Sequence, residues 1–449
     1  MADANSSRFP PGLTNAYLFA IFNAMSFQLV LSSPMVLYAK TLGASATVLG
    51  IISGMTPLLV IFQMPAAYFI PRVGYRRFVY GGWGMRVMFI FIIAVVPVMS
   101  SFLPAETRLA FVLMLLFGFN LSRGISSAAW LPWMTALVPE DLRGKYLLRD
   151  AVAVNFGSCL VMLLAAFTLG TSPQSHHFAA LFAFSGIMGA TSLAFLKRIP
   201  DTAIAPEHSR SNTPVPWLEI LRFPPFLALI RMAVAWAIAY GGLTTFTVAF
   251  LKSQYGLVDR DILLANSLTF VGGVCSIWFL GSRLDQFGSK PVLTISMASW
   301  IVIVSGWALL AGKAERFGFG FILALQVFMG LFAALVSMSN VRLAMATIPA
   351  MGRDHFFAMY SVITNLALGL SPLLWGLMID FLGTRRIPHL WLEWNRFTCF
   401  FAAVVLALMI TLYLTRRLQE PKAAGIDQLL KEILLSPQRV LVRFWPRTG

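Results

Sequence analysis

Twelve separate runs of eighteen or more apolar residues, the first at about 13–38 and the last at about 397–415, dictate most of what this chain can become. About 20 apolar residues make a helix long enough to cross a bilayer core roughly 30 Å thick. In hydrocarbon a lone segment satisfies its own backbone N–H and C=O groups only as a helix. The breaks between runs fall at Pro, Gly and charge clusters. Composition agrees, because 58% of the 449 residues are hydrophobic and 12% charged, too polar-poor for a soluble domain of this length. Twelve spans consume roughly 240–270 residues, which leaves no room for a sizeable soluble domain. The expected fold class is all-α integral membrane, with twelve transmembrane helices.

The longest polar stretch, about 197–224, carries Pro200, Pro206, Pro214, Pro216 and Pro224, with Pro225 following, and divides the spans six and six. It predicts a six-helix bundle over 1–197, a linker over 198–224, a second six-helix bundle over 225–416 and a tail over 417–449. The tail spaces Ile426, Leu429, Leu430, Ile433 and Leu434 as one face of a basic amphipathic helix, suited to a membrane surface. The net charge of +16 has a topological origin. Of 34 Lys and Arg, 21 fall on the side of both termini, 9 on the other side and four inside spans. The positive-inside rule then puts both termini in the cytoplasm, in a multi-pass protein of the cell (inner) membrane. No basic domain remains for nucleic acid. Cys159, Cys275 and Cys399 lie inside apolar runs and offer neither a disulfide framework nor metal spacing.

The two halves repeat each other. Tyr38-Ala-Lys40 falls on Phe250-Leu-Lys252 at an offset of 212, Arg143 to Asn155 falls on Arg353 to Asn365 at 210, and Gly74 falls on Gly288 at 214. Six helices have been duplicated in one membrane orientation, giving two pseudo-symmetric bundles.

The loop Gly281-Ser-Arg-Leu-Asp285-Gln-Phe-Gly288-Ser-Lys290 resembles the signature of the major facilitator superfamily between spans 2 and 3 and in its repeat. The first copy keeps Gly74 with Arg72, Arg76 and Arg77 but has Ala67 and Pro71 where the pattern has glycine and an acid. Pro139-Glu-Asp-Leu-Arg143-Gly144-Lys145 resembles the family's Pro-Glu-x-x-Arg-Gly loop. The resemblance covers about residues 10–416. It implies a transporter whose cytoplasmic loops gate the pathway, with Asp285, Gly281, Gly288 and Lys290 as one latch and Arg72, Gly74, Arg76 and Arg143 around the other. Asp150 or Asp354 is the substitute carboxylate for the acid missing from the first copy.

Four arginines, Arg86, Arg123, Arg231 and Arg342, sit in otherwise apolar segments, about 8–12 Å from the nearer span ends. A charge there faces the bundle interior or a cavity, or snorkels to the interface. Two readings stand: an electropositive vestibule for anionic solutes, or gate ion pairs with Asp150, Asp285 and Asp354. No acid or histidine reaches the middle of a span, so proton coupling has no sequence support. Uncharged groups do: Asn23 and Gln28 on span 1, Asn155 and Asn365 at matched positions of spans 5 and 11, Gln326 on span 10, and Trp236 with Tyr240 on span 7. The resemblance places spans 1, 4, 7 and 10 around the cavity, which makes these candidate substrate contacts, with helix–helix pairing the competing role for the asparagines.

The chain is thus expected to be a secondary or facilitative transporter of a small organic solute, acting as a monomer in the lipid bilayer, without a cofactor. A coupling ion, solute exchange or the solute's own gradient could each drive it. A drug or metabolite exporter, and a non-transporting assembly factor or sensor on the same fold, are the alternatives. No nucleophile with base, paired carboxylates or metal cluster marks it as an enzyme, and no phosphate-cradling glycine loop points to direct ATP use.

Overall fold

A computed structural model describes residues 9–139, 142–202, 222–280, 288–312, 317–347, 353–389 and 392–418. The helices that cross the bundle are α1 (Thr14–Thr41), α2 (Ala46–Ala67), α3 (Tyr75–Ser101), α4 (Ala105–Leu137), α5 (Arg143–Leu169), α6 (Ser175–Leu196), α7 (Pro224–Tyr255), α9 (Ser289–Gly312), α10 (Phe319–Thr347), α11 (Arg353–Leu382) and α12 (Arg396–Arg417). Between α7 and α9 runs α8 (Asp259–Leu280), whose 22 residues span about 33 Å. Among the described residues the sole sheet is a hairpin of β1 (Ile387–His389) and β2 (Leu392–Trp394) between α11 and α12. Twelve alternating crossings bring both ends of the chain to one end of the bundle, called here the terminal end. The tail beyond Leu418 and most of the linker lie outside the described residues.

The predicted duplication is visible in the packing. In the first half α1 packs on α5 and α6, α3 on α4 and α6, and α2 on α4. Adding six to every number gives the pairs of the second half: α7 on α11 and α12, α9 on α10 and α12, and α8 on α10. The turns repeat as well. Gly74 and Gly288 both have positive φ, 89° and 84°, and so do Gly43 and Gly256, at 82° and 79°. Glycine adopts this left-handed backbone without the steric cost that other residues carry.

The halves meet along two seams, α2 against α11 and α5 against α8, which the sixfold shift exchanges. The first seam is tight only at the far end. A β-carbon on Gly50 would run into the backbone of Pro372, one on Gly54 into Gly369, and one on Gly376 into Ala46. Small residues here let backbones touch, the usual route to close helix contact in a membrane. Asp380 completes the closure from α11. Its carboxylate accepts from the Ala46 amide at 3.0 Å, the Thr47 amide at 2.7 Å and the Thr47 hydroxyl at 2.6 Å. These amides belong to the first turn of α2, whose orphan donors and dipole favour a negative charge. Toward the terminal end the same two helices part around a cleft of about 260 Å³ between Val60–Ala67 and Ala358–Asn365.

Two outcomes test this packing. Gly330 lies against the Thr269 carbonyl where α10 crosses α8, so Gly330→Val is expected to destabilise the purified protein by about 1–3 kcal/mol, read as a lower Tm. Asp380→Asn keeps the side chain's size but weakens three charge-assisted bonds. It should raise reagent access from the far end to a cysteine placed at Ser53, and unchanged labelling would mean that the clamp does not hold that end shut.

Candidate functional site

A cavity of about 500 Å³ lies between the halves, bounded by α1 to α5 on one side and by α7 and α11 on the other. On α1 the lining residues Asn23, Phe27 and Leu31 recur every four positions, one face of a helix, with Phe19 and Gln28 beside them. α2 contributes Ser53, Thr56 and Pro57, α3 Trp83 and Arg86, α4 Arg123, Ser127 and Trp130, and α5 Asp150 and Val154. Every charged lining residue therefore belongs to the first half.

The second half supplies a broken helix. α7 runs regularly to Tyr240, stops at Gly241 and Gly242, and restarts as Leu243–Phe250. Gly242 sits at φ +78°, a conformation that ends the helical hydrogen bonds. Trp375 Nε1 of α11 donates at 2.8 Å to the Ile238 carbonyl at the break, and Ser371 Oγ donates at 3.1 Å to the Ala237 carbonyl, which also keeps its bond from the Gly241 amide at 2.9 Å. Backbone irregularity at membrane depth is tolerated where it is buried in protein or lines a cavity, and both glycines are on the cavity wall.

Arg86 is 2% exposed. It donates through Nη2 to Asn23 Oδ1, and its guanidinium lies 5.2 Å from the Trp83 ring centre and 5.7 Å from that of Phe119. Its Nε has no partner, nor has the buried Nη1 of Arg123 or the Nε1 of Trp83. Among the described residues neither arginine forms an ion pair, although Asp150 lines the same cavity. The two guanidiniums thus share one cavity without an ion-paired acid. Burial of unpaired charge is costly, and an anion entering the cavity relieves it. Snorkelling, open for Arg86 from the sequence, is replaced by burial on an aromatic face.

The other candidates divide. Asn23, Gln28 and Tyr240 line the cavity. Trp236 does not; it stacks on Tyr240 at 5.0 Å and 17°, and both rings meet Trp300 edge-on. Gln326 is 1% exposed and joins helices instead: its Nε2 donates to Asn266 Oδ1 at 2.8 Å, its Oε1 accepts from Thr269 at 2.8 Å, and Asn266 donates on to Ser33 of α1. Asn155 and Asn365 repeat one geometry, each donating to the carbonyl four residues back at 2.8 Å. Asn155 abuts Gly273 at the α5–α8 seam and Asn365 lines the cleft at the equivalent α2–α11 seam. Arg231 is exposed and off the cavity, and Arg342 is half-buried, off the cavity and engaged elsewhere. Of the four arginines, Arg86 and Arg123 line the cavity and Arg231 and Arg342 do not.

At the terminal end Arg143 serves its own half, donating to the Thr135 carbonyl at 2.9 Å and the Val138 carbonyl at 3.3 Å at the end of α4. Arg72 covers the Tyr68 ring at 5.0 Å, and Arg76 pairs with Asp201 at 3.4 Å across an exposed surface. Lys290 is also engaged. Gly281 and Asp285 lie outside the described residues, as does the side chain of Asp354. Asp150 sits in the cavity wall, not at a loop. The closure that sequence reasoning missed is at the opposite end, on Asp380; the Gly241-Gly242 doublet inside an apolar run was the available sign of the broken helix.

The family model for the Major Facilitator Superfamily matches residues 16–314 and again 261–445. A citrate-proton symporter of Klebsiella pneumoniae is 23% identical over 192 residues, covering 42% of this chain and 41% of that protein. Among solved structures, the inward-open xylose transporter XylE from E. coli aligns with a TM-score of 0.68 at 14% identity, over 93% of this chain and 99% of that one. A mutant form of the nucleoside transporter NupG aligns at 0.68 and 12% identity, over 90% and 100%. At these identities the structures speak for the fold, while the family model spans nearly the whole crossing region. This multi-pass membrane protein belongs to the Major Facilitator Superfamily.

Proposed function

We propose that this chain is a secondary transporter that carries a small organic anion by alternating access, its halves, about 1–197 and 225–416, rocking around the central cavity. The observation that carries the reading is the pair Arg86 and Arg123, buried on one cavity wall with unpartnered N–H donors and no acid paired to them. The partial likeness to a protein named as a citrate-proton symporter points to the same class of solute. An unfilled cavity of about 500 Å³ favours transport over an assembly or sensing role, for which bulky side chains would be expected to fill it.

The excess of basic residues beside the termini supports a cytoplasmic terminal end in the cell membrane. In that orientation the Asp380 clamp shuts the outer side and the structure is an inward-open form. Asp285 and Asp354 then remain the acids placed to latch the cytoplasmic side when it closes.

Proteoliposome uptake of labelled citrate, with a neutral nucleoside as control, tests the solute class. Arg86→Gln and Arg123→Gln should each cut citrate uptake at least about tenfold, the scale of one charge-assisted bond. Equal losses for the nucleoside would reassign the arginines to the gate, and no uptake of any carboxylate would overturn the anion reading. Reporter fusions at Gly449 and in the 171–177 loop are expected on opposite sides of the membrane; a common side would overturn the orientation.

A further inference from the structure

One charged cavity residue is not explained by an anion. Asp150 lines the cavity, is half-buried, and has no hydrogen bond or ion pair among the described residues. Its neighbour Arg149 lies with its guanidinium 5.2 Å from the Phe9 ring and beside Tyr17, and the Tyr17 and Tyr146 hydroxyls are the near groups around Asp150. A partly desolvated carboxylate beside two uncompensated guanidiniums would be expected to pair with them if it could reach.

The helix geometry keeps them apart. Gly157 of α5 rests on the backbone of Ile21. Asp150 precedes Gly157 by seven residues, about 10 Å toward the terminal end. Asn23, which holds Arg86, lies two residues past Ile21, about 3 Å in the opposite direction. The cavity therefore has a cationic pole at its middle and an anionic pole nearer its mouth, both on the first half. The second half offers only uncharged groups, among them Tyr240, Thr244 and the Gly241–Gly242 backbone.

Resting on the anion reading above, we infer that the cavity takes an elongated zwitterion, its carboxylate at Arg86 and Arg123 and its ammonium at Asp150, with several bonds between the charges. Each pole of such a solute satisfies a group the protein leaves unpaired. An α-amino acid is too short to reach both, and a plain carboxylate leaves Asp150 bare.

Binding to the purified full-length protein tests this with 6-aminohexanoate, hexanoate, glycine and citrate. The wild type should bind 6-aminohexanoate at least about tenfold more tightly than hexanoate, one charge-assisted pair, and glycine weakly. Asp150→Asn should erase that preference while hexanoate binding persists or improves, which also reports that the variant is folded; Asp150→Glu should keep part of the preference. Hexanoate binding as tightly as 6-aminohexanoate, or an unchanged preference in Asp150→Asn, overturns the inference. So does absence of 6-aminohexanoate binding when citrate binds, an outcome that leaves the anion reading standing. If none of the four binds, both fall.

Discussion

Hydrocarbon offers no hydrogen bonds, so each polar group carried into the bundle must find its partner inside the protein. Most of the structure follows from how that demand is met. Beside the break in α7, Trp375 donates to the Ile238 carbonyl and Ser371 adds a second donor to that of Ala237. Gln326, Asn266, Thr269 and Ser33 form a buried chain linking α10, α8 and α1, and Lys252 holds the fully buried Asp259 at the far end. The demand is left unmet at Arg86 Nε, Arg123 Nη1 and Trp83 Nε1 on the cavity wall, and also at groups away from it such as Tyr38 Oη and Trp300 Nε1. What sets the cavity apart is that two of its unmet donors belong to guanidiniums on one wall.

Duplication accounts for the frame but not for the chemistry. The helix pairs of one half recur in the other, and the two seams between halves are exchanged by the same operation. In the alternating-access reading proposed above, the repeated seams are the two surfaces on which the halves rock. The cavity wall breaks the symmetry, with charges from α3, α4 and α5 facing uncharged side chains and glycine backbone from α7 and α11. In that same proposal a solute bound by charge to one half is enclosed by the other without competing electrostatics.

Closure is likewise uneven along the α2–α11 seam. Gly50, Gly54, Gly369 and Gly376 allow backbone contact at the far end, and Asp380 binds the first turn of α2 across the halves. Along Val60–Ala67 the cleft is lined by Val60, Ile61, Gln63, Met64 and Ala67, with no glycine among them, facing Asn365. Glycine spacing therefore permits the close backbone contact at the far end.

The crossing helices, the six-plus-six duplication and the shallow arginines were legible along the chain because bilayer thickness imposes a length on every apolar run, and a charge in such a run announces itself. The family resemblance pointed to Asn23, Gln28, Trp236 and Tyr240 around a cavity, and the first two and Tyr240 line the one found, while Trp236 does not. It could not separate Arg86 and Arg123 from Arg231 and Arg342, because depth along a helix says nothing about which way its face turns. Gln326 looked like a substrate contact until its partners on α8 appeared, fifty-seven and sixty residues away in sequence. Asp380, 333 residues from Thr47, could be assigned only once α11 lay against α2. The sequence by itself determined what must cross the membrane and what would be costly to bury. Only the tertiary structure decided which buried groups satisfy one another and which are left for a ligand, because that depends on contacts between helices that no local pattern encodes.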